Sequence, residues 1–276
     1  MRTQMAQETL AIIENGYYEI EGIQQISIAR SLEDCQKNSR LFLPEEDLYP
    51  PVQQFETEIH VVNLPTLDVA YSLYLSGFHP LALNFASAKT PGGGFLRGTI
   101  AQEESLAYAS GLYLSLKDSP FYTLHRSLNE SPLYSHRTIY SPKVPVFRDS
   151  FGLLLPSPWQ TSFLTCAAPN RGALLDQGDT ELLALVPRTM HERIDRVLSI
   201  AAHLHYDTLV LGAFGCGIFR NSPEEVAHIF KSALSTRFRG VFARCIFAVF
   251  DRPHSPSIRA FTQTFPPKSF LTLSGI

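Results

Sequence analysis

Three consecutive glycines, Gly92, Gly93 and Gly94, are followed after seven intervening residues by Gln102-Glu103-Glu104. A glycine run lets the backbone pass very close to a bound molecule and adopt positive φ. A carboxylic acid beside a bound sugar can protonate a glycosidic oxygen, and its carboxylate can then activate water. Each half of the motif also has a plain structural reading. Glycines are common in turns, and adjacent glutamates are favourable at the start of any helix. A third segment, Leu211-Gly212-Ala213-Phe214-Gly215-Cys216-Gly217-Ile218-Phe219-Arg220-Asn221, exposes glycine amides that can cradle a diphosphate. Its spacing is neither a Walker A loop nor GxGxxG. Cys216 has no partner histidine in a recognisable pattern and reads as a packing residue, not a nucleophile.

Chemistry of this kind needs a rigid frame. Short apolar runs at 59–63, 80–86, 163–168, 208–211 and 241–250 predict buried strands, and 139–147 reads as extended despite two prolines. Helical spacing predicts helices over 2–15, 65–76, 101–115, 181–204 and 224–234, the last capped by Ser222 with Pro223 at its first position. Residues 17–28 read as strand-like, and Tyr49-Pro50-Pro51 reads as a breaker. Strands alternating with helices, and strands that are continuous apolar runs, imply an α/β fold with a largely parallel sheet covered on both faces. On this reading the first glycine loop follows strand 80–86 and the second follows strand 208–211.

Composition narrows the possibilities. The chain has 276 residues, 45% of them hydrophobic and 18% charged, which excludes a disordered polymer. The balance of 23 basic and 26 acidic residues leaves no electrostatic footprint for duplex DNA. An anionic ligand must therefore be held locally, by backbone amides or a few placed side chains. No apolar window is long enough to span a membrane, and the first residues do not read as a signal peptide. Cys35, Cys166, Cys216 and Cys245 form no CxxC pair and no zinc spacing, which points to an intracellular, reducing compartment without a metal. His203 and His205 face different sides of a helix end, a poor metal pair. Trp159 reads as a staple between a loop and the core, and Tyr140-Ser141-Pro142 either shapes a cleft or serves structure.

The glycine triplet, the spacer and Gln102-Glu103-Glu104 together resemble the signature of poly(ADP-ribose) glycohydrolases. The segment from Leu211 to Asn221 resembles the diphosphate loop of macrodomains. The resemblance is closest to the compact microbial type and covers roughly residues 55–255. It implies a macrodomain-like three-layer α/β/α fold with a mixed, largely parallel sheet. Residues 1–54 would form an N-terminal helical extension packed on a catalytic domain at 55–276. It further implies hydrolysis of ribose–ribose links in poly(ADP-ribose), mainly from the chain end, releasing ADP-ribose without a cofactor or metal. Poly(ADP-ribose) or an ADP-ribosylated protein would be the partner, in the cytoplasm, or the nucleus of a eukaryote.

Carried over, the resemblance makes Glu104 the catalytic acid/base, with a pKa raised through burial by substrate. Glu103 would orient the ribose hydroxyls. Asn84, Gly92, Gly93, Gly94 and Gln102 would line the ribose and diphosphate. Gly215, Cys216, Gly217 and Ile218 would wrap the diphosphate through their amides, and Phe219 would pack on the terminal ribose. Phe250 would stack on adenine, against the alternative of an ordinary buried strand residue. The competing readings are a non-catalytic ADP-ribose reader and a hydrolase of another ADP-ribosyl linkage.

Overall fold

The computed structural model describes residues 2–22, 25–48, 53–127 and 131–267. In chain order its elements are α1 (Arg2–Asn15), β1 (Tyr17–Tyr18), β2 (Ile26–Ser27), α2 (Ala29–Asn38), β3 (Arg40–Phe42), β4 (Glu58–Val62), α3 (Thr66–Leu75) and β5 (Leu81–Phe85). A 3-10 turn (Phe95–Arg97) follows, then α4 (Gln102–Ala109), α5 (Leu112–Leu116), α6 (Pro120–Ser127), β6 (Thr138–Arg148) and β7 (Leu154–Cys166). The chain continues through α7 (Arg171–Gln177), α8 (Thr180–His203), β8 (Thr208–Leu211), α9 (Pro223–Ser235), β9 (Arg244–Ala248) and α10 (Pro256–Thr264).

One seven-stranded sheet organises the chain, in the order β3-β6-β7-β5-β8-β9-β4. The pairs β7/β5, β5/β8, β8/β9 and β9/β4 are parallel, and β3/β6 and β6/β7 are antiparallel. Successive side chains alternate between two apolar layers, as the pleat requires. Leu81, Leu83, Leu209, Leu211, Cys245 and Phe247 face a layer built with α8, α9 and α10. Ala82, Val210, Ile246 and Ala248 face the layer of α3, α4, α5 and α6. Both faces being covered explains why these strands have almost no polar alternation. The loops after β5, β8, β9 and β4 emerge together at the carboxyl ends of parallel strands, where open α/β sheets form their crevice.

The N-terminal helix buttresses this end of the sheet. Thr9 Oγ1 donates to the Tyr108 carbonyl at 2.8 Å, and Glu8 pairs with the buried Arg148 at 2.6 Å. Tyr108 passes the support on, its hydroxyl donating to the Phe95 carbonyl at 2.8 Å. β3, within the segment read as an extension, hydrogen-bonds to β6 as the edge strand of the sheet.

Several expected elements have different bounds. The helix expected over 101–115 is two helices. Ser110 turns its backbone to bridge Val146, Gly111 N–H donates to the Pro145 carbonyl at 2.9 Å, and Leu32 leaves no room for a side chain at Gly111. The strand expected at 163–168 is the end of the thirteen-residue β7, whose first half is too polar and proline-rich to read as buried. The extended 139–147 is a full strand. Pro142 is accommodated by a register shift between Ser141 and Val144, with Lys143 at φ 45°, whereas Pro145 stays in register opposite Gln160. The last strand stops at Ala248, which leaves Phe250 beyond it. Among the described residues of 17–28, Tyr17–Tyr18 and Ile26–Ser27 form two short pairing segments. The breaker at Tyr49-Pro50-Pro51 lies outside the described residues.

Candidate active site

Gly92 and Gly93 take φ of 65° and 60°, so the loop after β5 makes a left-handed turn that only glycine tolerates well. The turn wraps directly around the two glutamates. A Cβ on Gly93 would overlap Glu104 Oε1 and sit 3.0 Å from Glu103 Oε2. Gly94 N–H donates to Glu104 Oε1 at 2.7 Å, and a Cβ there would overlap Thr99. Gly93 is thus required by the protein's own carboxyl groups, and Gly94 by Thr99.

Both glutamates lie in the first turn of α4, where the helix dipole favours negative charge. No side chain caps this helix at Ala101; Gln102 instead ties it to β5. Its Oε1 accepts from Phe85 N–H at 2.9 Å, and its Nε2 donates to the Leu83 carbonyl at 2.8 Å and Thr66 Oγ1 at 3.1 Å. Both amide protons are therefore committed to the scaffold. Gln102 thus braces the scaffold, and its Oε1 keeps a second lone pair toward the cavity that it helps to line.

Glu103 and Glu104 are 3% and 6% exposed. Glu103 Oε2 accepts from Ser87 N–H at 2.7 Å. Its other oxygen, Oε1, is buried with no hydrogen-bond partner among the described residues. Burial pushes the Glu103 carboxyl up to about 8, against the opposing pull of the Ser87 amide and with help from the charge of Glu104. Asn84, in register with Ala82, points to the α4 side of the sheet. Its Nδ2 donates to Thr165 Oγ1 at 3.1 Å, while its Oδ1 is buried and unpartnered among the described residues. Two buried oxygens without a partner among the described residues thus lie in the site. Such groups are uncommon in folded proteins and call for a partner.

The second loop is built on another plan. Gly215 has φ 72°, and a Cβ there would sit 2.5 Å from Ala168 Cβ and 2.7 Å from Asn221 Nδ2. Asn221 clamps the loop, its side chain donating to the Pro169 carbonyl at 2.8 Å and the Gly215 carbonyl at 3.0 Å. The amides of Gly217, Ile218 and Phe219 meet no acceptor among the described residues. A run of unpaired amides in a tight loop is an anion-binding concavity. The expected role of Cys216 needs correcting. Its N–H donates to the Ala213 carbonyl at 3.1 Å, so that amide is spent on the turn. Its thiol packs against the core, and burial pushes it up to about 12, which removes it as a nucleophile. Ile218 is 75% exposed, and Phe219 is half-buried with its ring 6.0 Å from that of Tyr134.

Phe250 is 72% exposed, so the alternative of a buried strand residue fails. The backbone just after it is pinned to the end of β4, with Asp251 N–H donating to Asn63 Oδ1 and Asn63 Nδ2 donating to the Asp251 carbonyl. Its ring faces a cavity of about 550 Å³ that also has Phe85, Pro65, Thr66, Gln102 and Phe151 in its walls. The remaining candidates lie elsewhere. Trp159 is buried against Tyr71 and Tyr74 of α3, and the Tyr140 hydroxyl bonds that of Tyr206 at 2.8 Å. His203 packs edge-on to Phe42. Among the described residues no group of three or more His, Cys, Asp or Glu converges on a metal-sized site, and no helix is long and apolar enough to cross a membrane.

Sequence reasoning missed Asn221, Ser87 and Tyr134. Asn221 was visible only as a helix-start residue, and Ser87 acts through its backbone. Nothing near Tyr134 in sequence suggests its contact with Phe219.

A family model described as microbial-type PARG, catalytic domain, matches residues 6–149. No curated protein sequence gives a significant match. Among solved structures, poly(ADP-ribose) glycohydrolase (PARG) from Thermomonospora curvata is 42% identical with a TM-score of 0.89, over 96% of this chain and 99% of that one. The same enzyme bound to the inhibitor ADP-HPD is 41% identical with a TM-score of 0.86, over 96% and 99%. The Deinococcus radiodurans enzyme in complex with ADP-ribose is 39% identical with a TM-score of 0.79, over 90% and 99%.

Proposed function

The chain belongs to the microbial-type poly(ADP-ribose) glycohydrolases, and on that premise we propose how its own residues carry the hydrolysis of ribose–ribose links. The observation that carries the proposal is the pair of buried, unpartnered oxygens, Asn84 Oδ1 and Glu103 Oε1, in the site where the Glu104 carboxyl is held by the Gly94 amide. Hydroxyls of the terminal ribose, which can both donate and accept, satisfy these two oxygens. The diphosphate lies on the free amides of Gly217, Ile218 and Phe219, which fits a slightly acidic protein that has no basic patch. Phe219 packs on the ribose, and Phe250 stacks on the adenine in the cavity beside Gln102.

In this arrangement Glu104 donates a proton to the 2′-oxygen of the leaving ribose as the glycosidic bond breaks through an oxocarbenium-like state. The diphosphate held nearby stabilises the cation, and Glu104 then takes a proton from the attacking water. Burial biases the Glu103 carboxyl towards its neutral form, which lowers its value as a nucleophile and fits a one-glutamate scheme better than the two-carboxylate scheme. Residues 1–54 act as a buttress for the 55–276 catalytic unit through the contacts of α1 with α4. The substrate is poly(ADP-ribose), free or on a protein, attacked mainly at the chain end, with ADP-ribose as product. The buried free thiols of Cys35, Cys166 and Cys245 fit a reducing compartment.

The test is turnover of automodified poly(ADP-ribose) without added metal. Glu104→Gln is expected to lower ADP-ribose release by on the order of 10³-fold, the range of a lost acid/base, while ADP-ribose binding by calorimetry changes little. A variant with near-normal turnover would overturn the assignment. Intact binding without release by the wild type would favour the reader.

A further inference from the structure

Tyr134 lies in the connection between α6 and β6, and its backbone is left-handed at φ 53°. An aromatic residue rarely adopts this conformation and holds it only where surrounding bonds enforce it. The enforcement is visible. Tyr134 N–H donates to the Ser131 carbonyl at 2.9 Å, and Asn170 N–H donates to the Pro132 carbonyl at 2.7 Å. Arg193, wholly buried on α8, reaches under the segment. Its guanidinium donates to the carbonyls of Leu133 at 2.9 Å, Tyr134 at 3.1 Å and Ala167, and to His136 Nδ1 at 3.0 Å. Ser135 is held from the other side, its N–H donating to His125 Nε2 at 3.3 Å.

The segment seats the Tyr134 ring edge-on to His125, with ring centres 5.9 Å apart, and carries it to Phe219. The Tyr134 ring packs with the α3–α6 layer, whereas Phe219 packs with the α8–α10 layer. The two rings meet 6.0 Å apart and tilted by 46°, beyond the carboxyl end of the sheet that separates those layers. The loop around Phe219 is itself tied down. Gly172 N–H donates to the Phe219 carbonyl at 2.8 Å, and Arg220, also left-handed at φ 54°, pairs with Asp176. The backbone of Phe219 is therefore fixed from α7, and its ring is supported from the opposite layer by Tyr134.

We infer that Tyr134 is a positioning residue for the glycohydrolase reaction, holding the Phe219 ring in the orientation that packs on the terminal ribose. The inference rests on the ribose-facing role proposed above for Phe219. Tyr134 acts through its ring, so the hydroxyl is dispensable. Loss of the ring lets Phe219 swing, which spoils alignment of the anomeric carbon with Glu104 more than it weakens the grip on the diphosphate.

The experiment is a double-mutant cycle on kcat, KM and ADP-ribose Kd with Tyr134→Ala, Tyr134→Phe, Phe219→Ala and the Tyr134→Ala/Phe219→Ala pair, each checked by thermal melting. Tyr134→Ala is expected to lower kcat about tenfold with Kd changed less than about threefold, a misalignment effect. Tyr134→Phe should restore wild-type kcat, and Tyr134→Ala should cost nothing more when Phe219 is already alanine. Full additivity in the double variant, or a Tyr134→Phe as impaired as Tyr134→Ala, overturns the inference. A Tyr134→Ala chain that fails to fold leaves the Tyr134→Phe arm and a Tyr134→Leu variant to decide it: leucine, lacking the ring, must lower kcat while retaining the fold. If Phe219→Ala alone leaves kcat and Kd unchanged, it is the assignment of Phe219 that fails.

Discussion

Gly93 and Gly217 stand in two glycine loops at the ends of neighbouring strands, yet the space around them differs completely. At Gly93 a Cβ would run into Glu104, and the adjacent amide of Gly94 is given to that same carboxylate. At Gly217 a Cβ would meet nothing within 4 Å, and its amide and the next two are uncommitted. The first loop is folded around the protein's own buried glutamates. The second is folded around open space lined by free amides. The same residue type thus answers two needs, a close approach within the protein and, on the proposed function, a close approach to an anion.

The difference can be broken by substitution. Gly93→Ala combines a left-handed backbone with overlap on Glu104. It should lower kcat/KM by on the order of 10²-fold, as small displacements of catalytic groups do, and lower Tm as well. An alanine variant with normal turnover would show that the loop does not set the carboxylates. Gly217→Ala should leave unfolding free energy within about 0.5 kcal/mol of the wild type, like other surface changes. Its Kd for ADP-ribose should rise about tenfold, the scale of one misplaced methyl in a fitted site. A change in Tm with no change in Kd would reverse the comparison.

A third test sharpens it through pH. Glu103 has its folded-state pKa raised to about 8 from an ordinary 4.5. The stability tied to its neutral form is therefore complete below about 4.5 and is lost as pH rises through about 8. Glu103→Gln cannot ionise, so its Tm should fall less than that of the wild type between pH 5 and pH 9, with the gap widening to several degrees at the upper end. Parallel curves would mean that Glu103 is already ionised in the folded protein. No such pH signature is expected from the second loop, whose free amides do not titrate and whose Cys216 thiol packs inward.

Much of this site was legible before folding. Glycine triplet, spacer and glutamate pair stand close in sequence, and their pairing needs only a loop and the first turn of a helix. Helix α9 was legible from Ser222 and Pro223, whose cap bond to Glu225 N–H forms at 3.2 Å. Other features were hidden because their causes are distant. The break between α4 and α5 depends on Pro145, Val146 and Leu32, and none of these is near in sequence. Helices α2, α6, α7 and α10 and the edge strand β3 carry mixed polarity, since each rests on the core by a narrow face. Gln102 sits inside the motif, but its bracing was hidden, since both its amide protons are used 19 and 36 residues away.

Local order in the chain therefore determined the class of fold and the chemistry available, because strand periodicity, glycine turns and helix-start carboxylates are short-range properties. Which groups are free to act was decided only when the sheet closed. Burial left Asn84 Oδ1 and Glu103 Oε1 without a partner among the described residues, raised the Glu103 carboxyl and turned the Cys216 amide inward. It also brought Tyr134 and Phe219 together from opposite layers. Hydrogen-bond satisfaction and desolvation depend on every neighbour in space, and those neighbours come from parts of the chain that no local pattern connects.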